Sequence, residues 1–310
     1  MSNGATRHLG LDLGGTNLKW AVLERTGDTW TTLGTGQQPT EGHLGPDHVV
    51  RRIGEVGRDA MRLWPGAESA GIGVPGLYDP ATGETRFLVN VPGAWAGRPV
   101  AGPVGEALGV PAFLINDARA FGLAELRLGA ARGAQSMVGL TLGTGVGGVI
   151  AVHGRVIQGH DGTAGEVGHQ TIDPDGPWCG CGNRGCVEAF ARADPIAIAC
   201  GTATPEEAVQ RARDGDARAL DGLAQVGRYL GIGIANLVTI ISPDRVVIGG
   251  GVAAAGDLLF APIRAELRRR VHTTALGEVE VVPAELGTWA GSIGAAVHGA
   301  ERSVAGTNDQ

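Results

Sequence analysis

The chain is predicted to be an α/β protein built from two domains. Three observations carry this. Short apolar, strand-like runs alternate with longer helical patterns along the sequence. The length, 310 residues, exceeds the ~250–300 residues at which a single core usually stops growing. One strand–turn–strand pattern also occurs twice, once early in each half. LGLDLGGTNLKWAVL (9–23) lies over VGLTLGTGVGGVIAV (138–152) without a gap.

Hydrophobic residues make up 43% and charged residues 18% of the chain, which suits packed cores and argues against general disorder. Aromatics are only 4%, so Val, Ile, Leu and Ala must fill those cores. The net charge of −7 argues against a nucleic-acid partner. Lys19 is the only lysine; a coding bias toward arginine and a singly placed cation both explain that. The opening MSNGATRHLG has no apolar signal core, and no run approaches 18 apolar residues, so no membrane helix is expected. The expectation is a cytoplasmic protein. Three of the four cysteines fall between 179 and 186, which in a reducing compartment suggests a metal site before a disulfide.

Residues 1–6 read as a loose tail. HLGLDLG and LKWAVLE are strands around a glycine turn. Residues 47–63 put Val49, Val50, Ile53, Val56, Ala60 and Leu63 on one helical stripe. AGIGV is a buried strand, stopped by Pro75 and Gly76, which suit the centres of a type II turn. AFLIND is a strand, and ARAFGLAELRLG a helix ending near Gly129. SMVGLTLG and GVIAVHG form the next strand pair. Residues 160–187 are rich in Gly, Asp, Cys and Pro; an irregular segment that long signals function or a metal staple. ATPEEAVQRAR opens a helix with Thr204 as cap and Pro205 in first position. Residues 217–241 read as an apolar helix. RVVIGGGV is strand then loop, and DLLFAPIRAELRRRV a helix interrupted or started near Pro262. VEVVPAEL is a strand and AGSIGAAVHGA a closing helix. The last, polar residues are expected to fray.

The second hairpin contains G-x-G-x-x-G, read as Gly143, Gly145 and Gly148, with Asp161 placed 18 residues after Gly143. By spacing this is a dinucleotide fingerprint. A dinucleotide loop must open a helix, whose N-terminus receives the pyrophosphate. Here GGVIAVHG follows, β-branched and closed by glycine, which is the return strand of a hairpin. A Walker A motif is absent. The two glycine turns instead offer backbone N–H groups that can form anion nests without a helix. Thr16 and Thr144 can add hydroxyl donors. Asp12, ahead of the first turn, makes sense as the holder of a hydrated divalent cation that bridges to phosphate.

These residues carry a resemblance. The sequence is similar to sugar kinases of the ROK group (repressor, open reading frame, kinase), and within it to the bacterial glucokinases. The matching pieces are LGLDLGGTNLKWAV, GVPGLYD, NVPGAW, INDARAFGLAE, LTLGTGVGG, GEVGH, CGCGNRGCVE, VVIGGGV and LGTWAGSIGAA, in the family's order across residues 9–297. The resemblance implies the actin/hexokinase/Hsp70-like, ribonuclease H-like ATPase fold, with two lobes and a central cleft. The first lobe would span 1–118, joined by the last helix at about 291–303. The second would span 119–290 and carry a zinc-binding loop.

The resemblance assigns the catalytic base to Asp117, which ends a strand and begins a helix; a carboxylate there can accept a hydroxyl proton or cap the helix. It maps sugar contacts onto Gly76, Asn90, Asn116, Asp117, Glu166, His169 and Glu188. The nucleotide and Mg2+ would meet Asp12, Gly14, Gly15, Thr16, Asn17 and Lys19 at the first turn. At the second turn they would meet Thr141, Gly143, Thr144 and Gly145, with the adenosine end near Gly249, Gly250 and Gly251. Lys19 can reach a terminal phosphate or snorkel to the surface. Cys179, Cys181 and Cys186 form C-x-C-x4-C, with His169 upstream, a donor set for a closed tetrahedral Zn2+ site. Such a site would staple the loop presenting Glu188 and orient His169 so that its other ring nitrogen can face the sugar. Cys200 is the rival fourth ligand.

The sequence also departs from the family's pattern. Arg119 stands where an Asn is usual and Phe121 adds bulk beside it. NVPGAW carries one residue more than the commoner NLPGW. The expected activity is transfer of the γ-phosphate of MgATP to a hexose, with glucose O6 as acceptor. Alternatives are fructose, mannose, N-acetylglucosamine or N-acetylmannosamine as acceptor, polyphosphate as donor, or a non-catalytic sugar-binding regulator of the same family. A repressor would need an N-terminal helix-turn-helix, and the first hairpin begins at Leu9. The family implies a homodimer or a higher homo-oligomer.

Overall fold

Three parallel strands form the spine of the first sheet. They are β1 (Thr6–Leu13), β4 (Ala67–Val74) and β8 (Ala112–Asn116). β2 (Asn17–Thr26) and β3 (Thr29–Pro39) add antiparallel, giving the order β3-β2-β1-β4-β8. The computed structural model describes residues 4–273 and 279–308. These divide into two compact units: 1–128 with 158–163 and 288–310, and 129–157 with 164–287.

In the first unit, strand periodicity sorts the side chains of β1. Leu9, Leu11 and Leu13 are buried on one face, in a core shared with Val49, Ile53 and Val56 of α1 (Pro46–Leu63). Burying each such side chain is worth about 1.5–3 kcal/mol. Gly10 points to the other face, where α9 (Ala290–Asn308) lies so close that a Cβ at Gly10 would strike the Ser292 carbonyl. Gly71 of β4 meets the Ala295 carbonyl in the same way. The small residues of AGSIGAAVHGA therefore seat the helix directly on the sheet. α9 runs to Asn308, beyond the point where fraying is expected. α3 (Asp117–Arg127) packs on α9, so the first unit extends through Leu128, past the boundary expected at 118.

A small sheet of β5 (Gly76–Tyr78), β6 (Glu84–Leu88) and β7 (Arg98–Pro99) follows β4, and α2 (Ala101–Leu108) leads into β8. None of these was expected from the sequence, nor was β3. Gly76 is not the centre of a type II turn. It opens β5 at φ +153°, where a Cβ would meet the Phe87 carbonyl.

The second unit repeats the sheet. β9 (Ser136–Leu142) and β10 (Val146–Val152) form the hairpin, β11 (Arg155–Val156) extends it, and β12 (Arg245–Gly250) and β13 (Glu280–Pro283) pair in parallel beyond β9. The order β11-β10-β9-β12-β13 matches that of the first sheet, position for position. α4 (Val187–Ala191), α5 (Ala193–Cys200), α6 (Pro205–Arg213), α7 (Ala217–Ile241) and α8 (Asp257–Arg270) complete the unit. Thr204 caps α6 as expected, accepting the Glu207 N–H at 3.2 Å. α7 is long and apolar enough to cross a membrane by length and composition, which the sequence reading did not anticipate. Leu223, Val226, Leu230 and Ile234 are buried in the core of this unit. α8 is one helix that passes through Pro262, against the expected break.

Candidate functional site

The carboxyl ends of β1, β4 and β8 lie side by side, with Asp12 opposite Gly73 and Val74 opposite Asn116. Ligands bind at such ends in open α/β sheets. At β1, the Gly14 N–H donates to the Asn17 carbonyl (3.0 Å) and closes the turn. Thr40 clamps it, donating its hydroxyl to the Gly14 carbonyl (2.7 Å) and its N–H to the Thr16 carbonyl (2.9 Å). The successive N–H groups of Gly15 and Thr16 have no acceptor among the described residues. They are two successive donors left open at the turn.

Asp12 faces this edge. Burial pushes its carboxyl above the ordinary carboxylate range, and the nearby Lys19 charge opposes that. Lys19 lies directly across from Asp12 in the hairpin. Gly291 leaves room for Asp12: a Cβ there would come within 2.5 Å of Oδ2. Asn90 also reaches the turn, since a Cβ at Gly15 would come within 2.5 Å of its carbonyl oxygen. Asn90 is exposed with φ +61°, a conformation that Asn tolerates. Its loop is pinned by Trp95, buried, whose Nε1 donates to the Val91 carbonyl (2.9 Å). Ala94, within NVPGAW, is exposed.

Two strands along, Asn116 and Asp117 divide the work at the start of α3. Asn116 is the N-cap, accepting the Arg119 N–H at 3.2 Å, and its Nδ2 donates to the Gly76 carbonyl (3.2 Å). Asp117 is therefore not the cap. It stands in the first turn, half-buried, and accepts the Ala118 N–H at 2.8 Å. Strand spacing of ~4.8 Å puts the β1 and β8 ends about 10 Å apart. Arg119 is 2% exposed. Its charge acts on Tyr78.

In the second unit, the Gly143 N–H closes its turn on the Gly145 carbonyl (2.9 Å). The N–H groups of Thr144 and Gly145 have no acceptor among the described residues. A strand follows, so no helix N-terminus is present and the dinucleotide reading fails. Asp161 is exposed and accepts from the Thr163 N–H (3.1 Å) and hydroxyl (2.6 Å). Thr141 pairs with Gly249 and Leu142 with Gly250, so Gly249 to Gly251 stand beside the second turn.

His169, Cys179, Cys181 and Cys186 gather with their ligand atoms within 4.8 Å of one another. Tetrahedral Zn2+, with bonds of ~2.3 Å to sulfur and ~2.05 Å to nitrogen, places its ligands about 3.6–3.8 Å apart. Cys181 Sγ to Cys186 Sγ is 3.7 Å and Cys179 Sγ to His169 Nδ1 is 3.6 Å. Burial pushes the Cys179 thiol up to about 12 and raises Cys186, while backbone donation lowers Cys181. Nδ1 is the nitrogen turned to the cluster, leaving Nε2 on the far side of the ring. Cys200 lies elsewhere, buried, against the Ala219 carbonyl at 3.6 Å, which removes it as a ligand.

Glu188 sits in the first turn of α4 between the cluster and the second glycine turn. Oε2 accepts the Val146 N–H at 2.9 Å, and Oε1 accepts from the Cys179 thiol at 3.4 Å. A Cβ at Gly145 would come within 2.6 Å of Oε2. Glu166 is exposed at the head of the turn Val167–His169, where its carbonyl accepts the His169 N–H (3.0 Å). Thr40, Gly291 and Val146 escaped the sequence reading. Gly291 and Val146 lie within LGTWAGSIGAA and LTLGTGVGG, but their contacts with Asp12 and Glu188, and those of Thr40 with the first turn, are long-range and come only with the fold.

A family model described as "ROK family" matches residues 8–300. The chain belongs to the ROK family. Among ROK relatives, the glucokinase of Thermotoga maritima is 36% identical over 93% of this chain and 95% of its own. The xylose repressor of Bacillus subtilis is 30% identical over 72% of this chain and 59% of its own. A ROK hexokinase from Thermus thermophilus superposes with a TM-score of 0.82 at 35% identity, covering 96% of this chain and 99% of that one. A ROK glucokinase from Streptomyces griseus, solved with glucose and AMPPNP, gives 0.79 at 30% identity, covering 96% and 100%. The ROK chain thus has the actin/hexokinase/Hsp70-like fold, and its paired sheets and hairpins are the repeated halves of that architecture.

Proposed function

We propose that this ROK protein is an ATP-dependent hexose kinase that phosphorylates glucose at O6. The observation that carries the reading is the carboxyl edge of the first sheet. It holds an unclaimed pair of N–H groups and Asp12 at β1, and a second carboxylate, Asp117, at the start of α3 where β8 ends, two strands along. Phosphoryl transfer asks chiefly for positioning and charge stabilisation, and these parts meet both needs.

In this reading Asp117 accepts the hydroxyl proton as the sugar oxygen attacks the γ-phosphorus. The bond from that phosphorus to the bridging oxygen breaks, and ADP leaves with the electron pair. Gly15 and Thr16, and Thr144 and Gly145 at the other turn, donate to phosphate oxygens. Asp12 serves the hydrated Mg2+ that accompanies ATP, and Lys19 moderates its charge. Asn90, Asn116 and the Gly76 segment orient hydroxyls. Glu166, His169 and Glu188 are also assigned to the sugar. His169, Cys179, Cys181 and Cys186 would hold a structural Zn2+, which supplies no chemistry beyond fixing the loop. His169 Nε2 stays available to a hydroxyl.

A coupled assay over glucose, mannose, fructose, N-acetylglucosamine and N-acetylmannosamine, each with ATP and with polyphosphate, tests the proposal. Glucose with ATP should give the highest kcat/KM. Activity confined to N-acetylhexosamines would remove glucose as the substrate. Sugar binding without turnover on any donor would favour a regulatory role like that named for the xylose repressor.

A further inference from the structure

A cavity of about 290 Å3 opens in the first unit. It is lined by the β5–β6 loop from Asp79 to Gly83, by Ala101 and Gly102 of α2, by β8 from Ala112 to Leu114, and by His298 and Arg302 of α9. None of these residues has a part in the reaction above. The size lies at the small end of the ~300–1,000 Å3 typical of small-molecule pockets, which suits a compact metabolite rather than a nucleotide.

Its polar groups are unevenly matched. Tyr78 is 9% exposed and lines the cavity, yet its hydroxyl has no hydrogen-bond partner among the described residues. The hydroxyl is not among the fully buried atoms that lack a partner, so it opens into the cavity with its donor free for a ligand. Arg302 lies over the Phe113 ring at 6.0 Å and has no carboxylate partner among the described residues. Asp79, the one acidic residue in the lining, is already satisfied by the Ala81 N–H (2.9 Å), the Thr82 N–H (3.3 Å) and Arg86 (2.9 Å). α2 begins here with no side-chain cap and no acidic residue in its first turn. The Val100 and Ala101 N–H groups go to the Gly83 carbonyl, leaving that of Gly102 for a ligand. A helix N-terminus in this state favours an anion. Burial holds His298 near 4, so it is neutral at physiological pH, with a hydrogen bond to the Leu114 backbone. Its remaining nitrogen is then an acceptor.

We propose that this cavity is a second ligand site for a small phosphate monoester bearing hydroxyl groups. Arg302 and the α2 N-terminus take the phosphate, and the Tyr78 hydroxyl donates to the ligand. His298 accepts from a ligand hydroxyl. The site is also placed to report on the α3 cap. Gly76, two residues before Tyr78, accepts from Asn116, and Leu114 precedes Asn116 on β8. The inference does not depend on the reaction proposed above, because binding alone reads it.

The test is a thermal-shift and calorimetric titration of the full chain at fixed ionic strength with glycerol 3-phosphate, inorganic phosphate and glycerol. A saturable shift with glycerol 3-phosphate and none with glycerol is expected. Tyr78→Phe and Arg302→Gln should each weaken binding by about tenfold or more, while leaving turnover without the ligand unchanged. Equal affinity for inorganic phosphate would make free phosphate the source of the same anion. The proposal is overturned if no saturable binding occurs, or if both variants bind as tightly as the parent.

Discussion

The Glu188 carboxylate accepts the Val146 N–H at 2.9 Å, while its second oxygen accepts from the Cys179 thiol at 3.4 Å. One side chain thereby bridges from the second glycine turn to the cysteine cluster; the Val146 bond remains, and the thiol bond is given up, when Cys179 is deprotonated to hold a metal. Truncation in Glu188→Ala leaves the Val146 N–H without its acceptor, at a cost of about 1–3 kcal/mol. For a unit of this size that lowers Tm by about 2–10 °C. Glu188→Gln keeps an acceptor oxygen and should fall between the two. Thermal melts that place both variants level with the parent would show that the tie carries no load.

Asp117 and Asn116 should separate in their effects. Asp117→Ala removes the proposed base and is expected to lower kcat by about 10²–10⁴-fold, with glucose binding largely kept. Asn116→Ala removes the cap of α3 and should lower stability by about 0.5–2 kcal/mol, read by urea denaturation. Near-normal turnover in Asp117→Ala would remove it as base.

Zinc content gives an independent check on the cluster. Purified protein should carry about one zinc per chain by elemental analysis. Cys181→Ser and His169→Ala should lose it, and Cys200→Ser should keep it, because Cys200 is buried against Ala219. Zinc that survives His169→Ala but not Cys200→Ser would contradict this ligand set.

Two histidines set an acid limit to stability. Burial lowers both His8 and His298 from 6.5 to about 4, with Arg25 and Arg302 respectively acting in the same direction. Between those values the unfolded chain binds more protons than the folded one, so stability falls as pH drops from 6.5 toward 4 and is fully present above 6.5. Melts from pH 7 to pH 4 should show the decline, and His8→Gln should shallow it. A flat profile in both proteins would contradict the assignment.

Much of the fold was legible because it is periodic. The stripe of α1 from Val49 to Ala60, the apolar strands around both turns and the Thr204–Pro205 start of α6 all obey local rules, whereas Leu63, expected on that stripe, is exposed at the helix end. β3, the small β5–β7 sheet and α2 were not legible. TWTTLGTGQQP is polar and mixed, and becomes a strand only because β2 offers it an edge. Pro262 misled because a proline signals a break locally, whereas α8 continues through it where it packs over Gly227 of α7, within 2.9 Å of a Cβ placed there.

The sequence by itself determined the duplicated hairpins, the absence of a helix after Gly145, the compact set of three cysteines and the family. Each is written in residues close together in the chain, where periodicity, turn chemistry and ligand spacing act. The tertiary structure alone decided that Asn116 rather than Asp117 caps α3, that Cys200 is excluded from the cluster, and that Glu188 holds the Val146 N–H. It also decided that Tyr78 and Arg302 line a cavity. Those facts depend on which distant backbone and side-chain groups arrive at one place, and burial then fixes which polar groups must be satisfied and which are left to a ligand.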